Sequence, residues 1–160
     1  ALQRLRRSLQ PVVDRGGYDY VLLDCPPSLG ILTMNALAAA HGLIIPIQCE
    51  YYALEGLGVM MQLVRRLRAG ANPALALDGI VMTMFDARTN LARQVVEEVR
   101  KHFGEQVFEA VIPRNVRLSE APSYGQPVLV YDPRGSGAQA YLHLSGELMN
   151  RRQASAHTAG

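Results

Sequence analysis

Short, nearly continuous apolar runs alternate along the chain with longer segments in which apolar residues recur at helical spacing. The short runs are typical of strands buried on both faces of a parallel sheet, and the longer segments of amphipathic helices. The predicted strands are Tyr20–Asp24, Leu43–Ile47, Gly79–Phe85 and Val107–Ile112. The predicted helices are Leu2–Val13, Leu32–His41, Leu54–Leu67, Leu91–Phe103 and Ala138–Leu148.

Punctuating residues refine this pattern. Pro11 predicts a kink or a restart of the first helix, because proline lacks an N–H donor. For the same reason, Pro46 predicts a strand end or an irregular edge. Val128–Val130 is predicted as a brief extra strand. Ser136 is expected to cap the last helix, and Arg151–Gly160 is small and polar, which predicts a frayed tail. The inner face of the last helix is predicted as Ala138, Tyr141, Leu144 and Leu148.

Strands that alternate with helices predict an α/β fold, with a mostly parallel sheet covered by helices on both faces. Ligands in such sheets bind at the carboxyl ends of the strands. Polar residues follow every predicted strand, so we expect one shared functional edge. These segments are Asp24–Pro27, Gln48–Glu50, Asp86–Asn90 and Pro113–Arg117.

Composition limits the class of protein. The chain has 160 residues, 49% of them apolar and 19% charged, which predicts one globular domain over residues 1–150. The net charge of +2 does not by itself indicate a strongly basic nucleic-acid protein. Cys25 and Cys49 have neither C-x-x-C nor Cys/His ligand spacing, so reduced thiols in a cytosolic protein are expected.

Asp24 ends an apolar run, which is how a nucleotide-binding fold places an acid beside hydrated magnesium. A strand-terminal aspartate that caps its own loop is the alternative. The phosphate loop that should accompany such an acid, G-x-x-x-x-G-K-[ST], does not occur in these residues. The chain's one lysine, Lys101, lies in a predicted helix.

Three other segments carry candidate chemistry. Pro26 and Pro27 stiffen the loop after Asp24, as a phosphate sensor or as a rigid turn. Arg88 and Arg117 lie in loops of the predicted edge, where arginine binds phosphate or is simply solvated. Pro113–Asn115 suits the edge of a purine base, or a turn that uses the backbone tolerance of asparagine.

Four separated motifs, taken together, resemble the ParA/Soj family of chromosome and plasmid partitioning ATPases, which have a deviant Walker loop and are related to MinD. The resemblance covers residues 2–150. The motifs are Asp24–Gly30 (DCPPSLG), Pro46–Leu57 (PIQCEYYALEGL), Asp86–Leu91 (DARTNL) and Pro113–Pro122 (PRNVRLSEAP).

The resemblance implies a P-loop ATPase that uses ATP and Mg²⁺, forms a homodimer and binds DNA nonspecifically in the nucleoid. It further implies a cytoplasmic protein stimulated by the centromere-binding partner ParB. Asp24 corresponds to the Walker B acid, acting on magnesium through water, and Cys25, Pro26, Pro27 and Ser28 correspond to the switch loop. Pro113, Arg114 and Asn115 correspond to the segment lining the adenine, and Arg88 and Arg117 to DNA-binding positions.

The chain departs from the family pattern in one large respect. The family's Walker A loop, its catalytic lysines and the strand carrying its catalytic aspartate have no counterpart in these residues. We therefore expect the isolated chain to lack tight ATP binding and hydrolysis. Its first two strands are expected to close up against each other, or the chain to be poorly stable alone. The alternative reading is a noncatalytic DNA-binding or dimerisation module. The tail has no apolar face, so membrane docking is not expected.

Overall fold

The computed structural model describes the backbone of residues 2–26, 28 and 30–158, and the side chains among them as far as residue 154. The strands are β1 (Gly42–Gln48), β2 (Ala76–Phe85) and β3 (Val107–Pro113). The helices are α1 (Arg4–Asp14), α2 (Ile31–Ala39), α3 (Ala53–Arg68), α4 (Asn90–Phe103), α5 (Val116–Glu120), α6 (Val128–Tyr131) and α7 (Ser136–Thr158), with 3₁₀ turns at Gly104–Gln106 and Ala121–Tyr124.

The described residues form a three-stranded sheet in the order β1-β2-β3, in which β2 and β3 pair in parallel. Parallel strands joined by helices confirm the α/β prediction. β1 lies at an edge of the sheet and contains Pro46. Of the two positions predicted for Pro46, the edge is the one observed, where its missing N–H donor is tolerated. β2 lies in the centre, and its residues Gly79 to Met82 are buried.

The chain divides into two compact units. One comprises residues 1–43 and 59–77, and the other comprises residues 44–58 and 78–160. The boundary of a single domain at residue 150 stays a prediction.

In the first unit, Leu37, Leu67 and Leu75 form the core. The side chain of Asn72 is 2% exposed and donates to the carbonyl oxygens of Leu37 (2.9 Å) and Ala40 (2.8 Å). The last carbonyls of a helix have no intrahelical partner. A buried amide group therefore terminates α2, and both of its N–H hydrogens are used in doing so.

In the second unit, Val81, Phe108 and Ile112 form the core, and α7 packs Ala140, Leu144 and Leu148 against it. Phe108 is fully buried, and a Cβ atom on Gly79 would lie 2.8 Å from its Cζ. The predicted inner face of α7 is thus correct except at Tyr141, which is 43% exposed. Ala140 takes that place because it lies four residues before Leu144 on the same helical face.

The predicted frayed tail is instead helical, since α7 continues through Thr158. Arg151 donates to the carbonyl oxygens of Asp78 (3.2 Å) and Val107 (3.0 Å), and its guanidinium carbon lies 4.3 Å from the ring centroid of Phe108. Arg152 forms a salt bridge with Asp78. These contacts tie the helix to the starts of β2 and β3, which polarity alone could not predict.

Two strand predictions are wrong. Tyr20–Asp24 has no strand assignment, and Leu22 is 81% exposed. A strand needs a neighbouring backbone on at least one side, and this segment pairs with none of the described strands, so it does not close up against β1. Val128–Val130 forms α6, in which the amides of Val130 and Tyr131 bond to the Pro127 carbonyl. Two β-branched residues without a neighbouring strand are insufficient for β-structure.

Candidate functional site

The carboxyl ends of the three strands carry a rim of charged residues within the second unit. The amide of Cys49, just after β1, donates to the Thr83 carbonyl of β2 at 2.9 Å. The amide of Arg114, just after β3, donates to the Phe85 carbonyl at 2.9 Å. These bonds bring the segments after all three strands to one edge, as the topology predicted.

The backbone of β2 is irregular where it approaches this rim. Met84 has φ of 54°, the positive-φ non-glycine residue among the described residues. The pairing with β3 shifts register between Met82 and Phe85. A side chain at positive φ costs about 1–3 kcal/mol and persists where surrounding contacts impose it. Here the neighbouring carbonyls of Thr83 and Phe85 are both bonded, so the bulge directs the chain into the loop that begins at Asp86.

Asp86 holds Arg88 through two parallel bonds. The Nε of Arg88 donates to Oδ1 at 2.9 Å and its Nη2 to Oδ2 at 2.7 Å, while the Arg88 amide also donates to Oδ1 at 3.0 Å. The side-chain and backbone hydrogen bonds from Arg88, with the nearby charge of Arg114, lower the pKa of Asp86 well below its usual range. The same pairing raises the pKa of Arg88. The side chain of Arg88 is nevertheless 86% exposed, so the edge of the guanidinium away from Asp86 faces water.

Arg114 lies between acids from the ends of two strands. Its Nη2 is 3.9 Å from Oε1 of Glu50, and its charge acts on Asp86. The rim therefore alternates in sign from Glu50 through Arg114 and Asp86 to Arg88.

Asn115 is the N-cap of α5 and has an extended backbone, so it does not form the turn with unusual backbone angles that was the alternative reading. Its Oδ1 accepts from the Arg117 amide at 2.8 Å, which caps α5, and its Nδ2 donates to Oγ of Ser136 at 3.0 Å. One amide hydrogen and one oxygen lone pair remain for any ligand. Pro113, the last residue of β3, pairs with Phe85.

Arg117 belongs to a polar cluster on α5 and α6. Its Nη1 donates to Oε2 of Glu120 at 3.1 Å and to the Tyr131 hydroxyl at 3.4 Å, and that hydroxyl donates to Glu120 at 3.1 Å. The Tyr131 hydroxyl, and then the charge of Glu120, raise the pKa of Arg117. Tyr124 stacks on Tyr131 with ring centroids 5.1 Å apart. Glu120 and Tyr131 were not among the predicted site residues, although Glu120 stands three residues after Arg117 on one helix, a spacing that indicates contact.

Asp24 belongs to the first unit and is exposed, whereas the rim residues belong to the second unit. The loop after it is tied to α2 by Thr33, which is 5% exposed. The Thr33 hydroxyl donates to the Ser28 carbonyl at 2.7 Å, and the Pro26 carbonyl oxygen lies 3.5 Å from it. The Sγ of Cys25 lies 3.6 Å from the carbonyl oxygen of Leu23. Pro27 lies outside the described residues.

The two cysteines differ in environment. Cys25 is exposed, whereas Cys49 is 5% exposed and burial raises the pKa of its thiol to about 11. Both are free thiols, as predicted. Cys49 is therefore a packed apolar side chain at the end of β1 rather than a nucleophile.

Glu109, His143 and Glu147 form a cluster whose potential metal-ligand atoms all lie within 4.8 Å of one another. Both carboxylate oxygens of Glu147 already accept backbone amide bonds, from Glu109 at 2.9 Å and from Ala110 at 2.8 Å. These amides belong to the stretch of β3 where its pairing with β2 changes register. The geometry assigns Glu147 the role of satisfying an irregular strand.

Comparison with known proteins identifies the family. The "AAA domain" family model matches residues 2–77. The chain is 55% identical over 148 residues to the chromosome partitioning protein ParA of Myxococcus xanthus, covering 92% of this chain and 52% of that protein. It is 54% identical to the sporulation initiation inhibitor protein Soj of Bacillus subtilis, covering 91% of this chain and 56% of that protein.

The chain belongs to the ParA/Soj family. It spans about half the length of the curated relatives that it matches. Solved structures agree with the ParA/Soj assignment at the level of the fold. Cobyrinic acid a,c-diamide synthase from Mycobacterium smegmatis, with bound ADP and magnesium, matches with a TM-score of 0.77 and 32% identity over 96% of this chain and 55% of its own. The cell division ATPase MinD of Pyrococcus furiosus matches with a TM-score of 0.74 at 22% identity, over 94% of this chain and 59% of its own, and supports the fold alone.

No helix among the described residues of this ParA/Soj chain is long and apolar enough to cross a membrane.

Proposed function

We propose that this chain is part of a ParA-type ATPase that segregates chromosomes or plasmids. The observation that carries the proposal is the 55% identity to a chromosome partitioning protein over 92% of the chain. Because the chain covers about half the length of such relatives, the ATPase activity is proposed for a complete family protein and not for these 160 residues alone.

ATP and Mg²⁺ are the proposed cofactors of that complete protein. A structural relative with ADP and magnesium bound supports this proposal. Among the residues present, the exposed carboxylate of Asp24 is the one proposed to hold hydrated magnesium through water. Pro113, Arg114 and Asn115 are proposed to line the adenine. Asn115 retains one amide hydrogen and one oxygen lone pair with which to do so.

The isolated chain is proposed to bind ATP weakly and not to hydrolyse it. A P-loop lysine contacts the β- and γ-phosphates, and the one lysine here, Lys101, lies in α4. The test is steady-state phosphate release by the purified 160-residue protein, alongside an Asp24→Ala variant. Turnover that the substitution abolishes would refute the proposal, whereas turnover that survives it indicates a contaminating ATPase.

Nonspecific DNA is the proposed macromolecular ligand, bound through Arg88 and Arg117 in a nucleoid-associated homodimer that ParB stimulates. The outward edge of the Arg88 guanidinium, on a side chain 86% exposed, supports a phosphate contact. Fluorescence anisotropy with a labelled duplex tests this, with Arg88→Glu as the variant. Loss of affinity is expected, and unchanged affinity contradicts the role of Arg88.

A noncatalytic DNA-binding or dimerisation module is the second candidate. The chain's one lysine, Lys101, lies in α4 rather than in a phosphate loop, which favours this candidate for the isolated chain. Salt-dependent DNA binding without ATP, weakened by Arg88→Glu, would support this alternative. A requirement for ATP in the presence of the remaining half of the family's sequence would support the ATPase.

A further inference from the structure

The basic residues are distributed unevenly between the two units. The unit of residues 1–43 and 59–77 contains seven arginines against three aspartates, a formal charge of +4. The unit of residues 44–58 and 78–160 contains nine cationic residues against eleven acids, a formal charge of −2. Arg88 and Arg117 therefore lie in the acidic unit, and the excess positive charge lies elsewhere.

Part of that excess forms a stripe on α1. Arg4 and Arg7 are three residues apart, so their side chains are neighbours on one helical face. Arg15, at the end of the helix, falls on the same face about 16 Å along the axis. All three side chains are exposed. The opposite face carries Leu5, Leu9 and Val12, which are partly buried, and α1 packs against α2.

Within the part of the chain that the structure describes, the guanidinium groups of Arg4 and Arg7 have no acidic partner close by. Among the described residues, no carboxylate lies within 4.0 Å of either, whereas Asp86 and Glu120 hold Arg88 and Arg117. Asp14 is the acid nearest in sequence on this face, and its Oδ1 accepts from Gln10 at 2.8 Å. A phosphate that approaches Arg4 or Arg7 displaces water alone. One that approaches Arg88 also meets the charge of Asp86.

We propose that Arg4 and Arg7 of α1 bind the phosphates of duplex DNA in addition to Arg88 and Arg117. The proposal rests on the DNA binding proposed above. It assigns much of the electrostatic contribution to DNA affinity to the arginines of α1. Arginine suits phosphodiester oxygens because its donors form a planar fork. A lipid surface is disfavoured because membrane-bound helices insert an apolar face, and the apolar face of α1 packs against α2.

The experiment measures anisotropy of a labelled random-sequence duplex with the full 160-residue protein between 50 and 200 mM salt. The test variant is Arg4→Gln/Arg7→Gln. Glutamine is a good helix former, and removing a cation from the first turn does not weaken a helix. The matched control is Arg65→Gln/Arg66→Gln on α3, which removes the same charge from exposed positions of the same unit. Arg88→Gln reports on the proposed function independently.

The α1 pair is expected to lower affinity roughly tenfold at low salt. It should also reduce the slope of log K against log salt by about 1.8, or about 0.9 for each lost phosphate contact. The control should change both quantities much less. Equal effects of the two pairs would assign the change to net charge and overturn the inference. If Arg88→Gln lowers DNA affinity and Arg4→Gln/Arg7→Gln does not, the inference about α1 is overturned and the proposed function stands.

The reverse result, an effect of the α1 pair alone, would support α1 and contradict the role of Arg88. Absence of DNA binding by the wild-type chain at 50 mM salt would overturn both. The last arm of the experiment measures binding of the wild-type chain and the α1 variant to phosphatidylserine vesicles. If the α1 pair abolishes vesicle binding and leaves DNA affinity unchanged, α1 is a membrane-binding surface and the inference is wrong.

Discussion

Glu147 offers the sharpest test of how the second unit is held together. Its carboxylate accepts the amides of Glu109 and Ala110, at 2.9 and 2.8 Å, where the pairing of β3 with β2 changes register. A hydrogen bond to a charged group contributes about 1.5–3 kcal/mol, and leaving a buried donor unsatisfied costs about 1–3 kcal/mol. Ala110 is 2% exposed, so water does not readily replace its partner, whereas Glu109 is exposed and can be rehydrated.

The substitution Glu147→Ala should therefore lower the free energy of unfolding by about 2–4 kcal/mol. For a chain of this size the melting temperature should fall by roughly 5–15 °C. Glu147→Gln keeps one acceptor oxygen and should lose about half as much. His143→Ala is the control, because its exposed ring lies 3.5 Å from the same carboxylate without bonding to β3. Urea unfolding gives the free energies, and exchange of the Ala110 amide should accelerate selectively. A loss below about 0.5 kcal/mol for Glu147→Ala would show that water satisfies the strand and would refute the reasoning.

Three further predictions concern single side chains. Gly79→Ala should lower the free energy of unfolding by about 1–3 kcal/mol, because the new methyl group overlaps the Phe108 ring. Gly146→Ala, in open space on α7, should raise it by about 0.5–1 kcal/mol. Changes of the same sign in urea unfolding would contradict this. Iodoacetamide at neutral pH should label Cys25 rapidly and Cys49 slowly, since burial raises the pKa of Cys49 to about 11; equal rates by mass spectrometry would show that β1 opens. The pairing with Arg88 lowers the pKa of Asp86 in the folded state, so it stabilises the fold at pH values above the unfolded pKa of aspartate, about 3.9. This stabilisation is lost as the pH falls through the lower pKa of the folded state. The stability difference between wild type and Asp86→Asn should therefore shrink on acidification, and a constant difference would be inconsistent with the pairing.

The sheet was predictable where both faces of a strand are covered. β2 and β3 read as nearly continuous apolar runs because most of their central residues are buried. β1 has the same composition although Pro46 and Gln48 are exposed. The carboxyl-edge rim follows from the parallel topology. The side-chain partners within the rim were not predictable to the same degree. A loop arginine is equally compatible with solvent, phosphate or an acid two residues away. The bonds from Arg88 to Asp86 depend on the turn that the bulge at Met84 creates, which leaves no signature in the sequence.

The strand predicted at Tyr20–Asp24 is absent for a different reason, and this reason bears on the magnesium role proposed for Asp24. Burying a valine or leucine side chain contributes about 1.5–3 kcal/mol, yet Val21 and Leu22 are 45% and 81% exposed. An apolar run predicts a strand only when a partner supplies the other half of the backbone hydrogen bonds, so this segment has the composition of a strand without its pairing. The place of Asp24 as the proposed magnesium ligand depends on that pairing, because an acid held on an unpaired segment pays the ordering entropy when it binds. Magnesium affinity at Asp24 and strand formation at residues 20–23 should therefore be linked, each rising when the other is present.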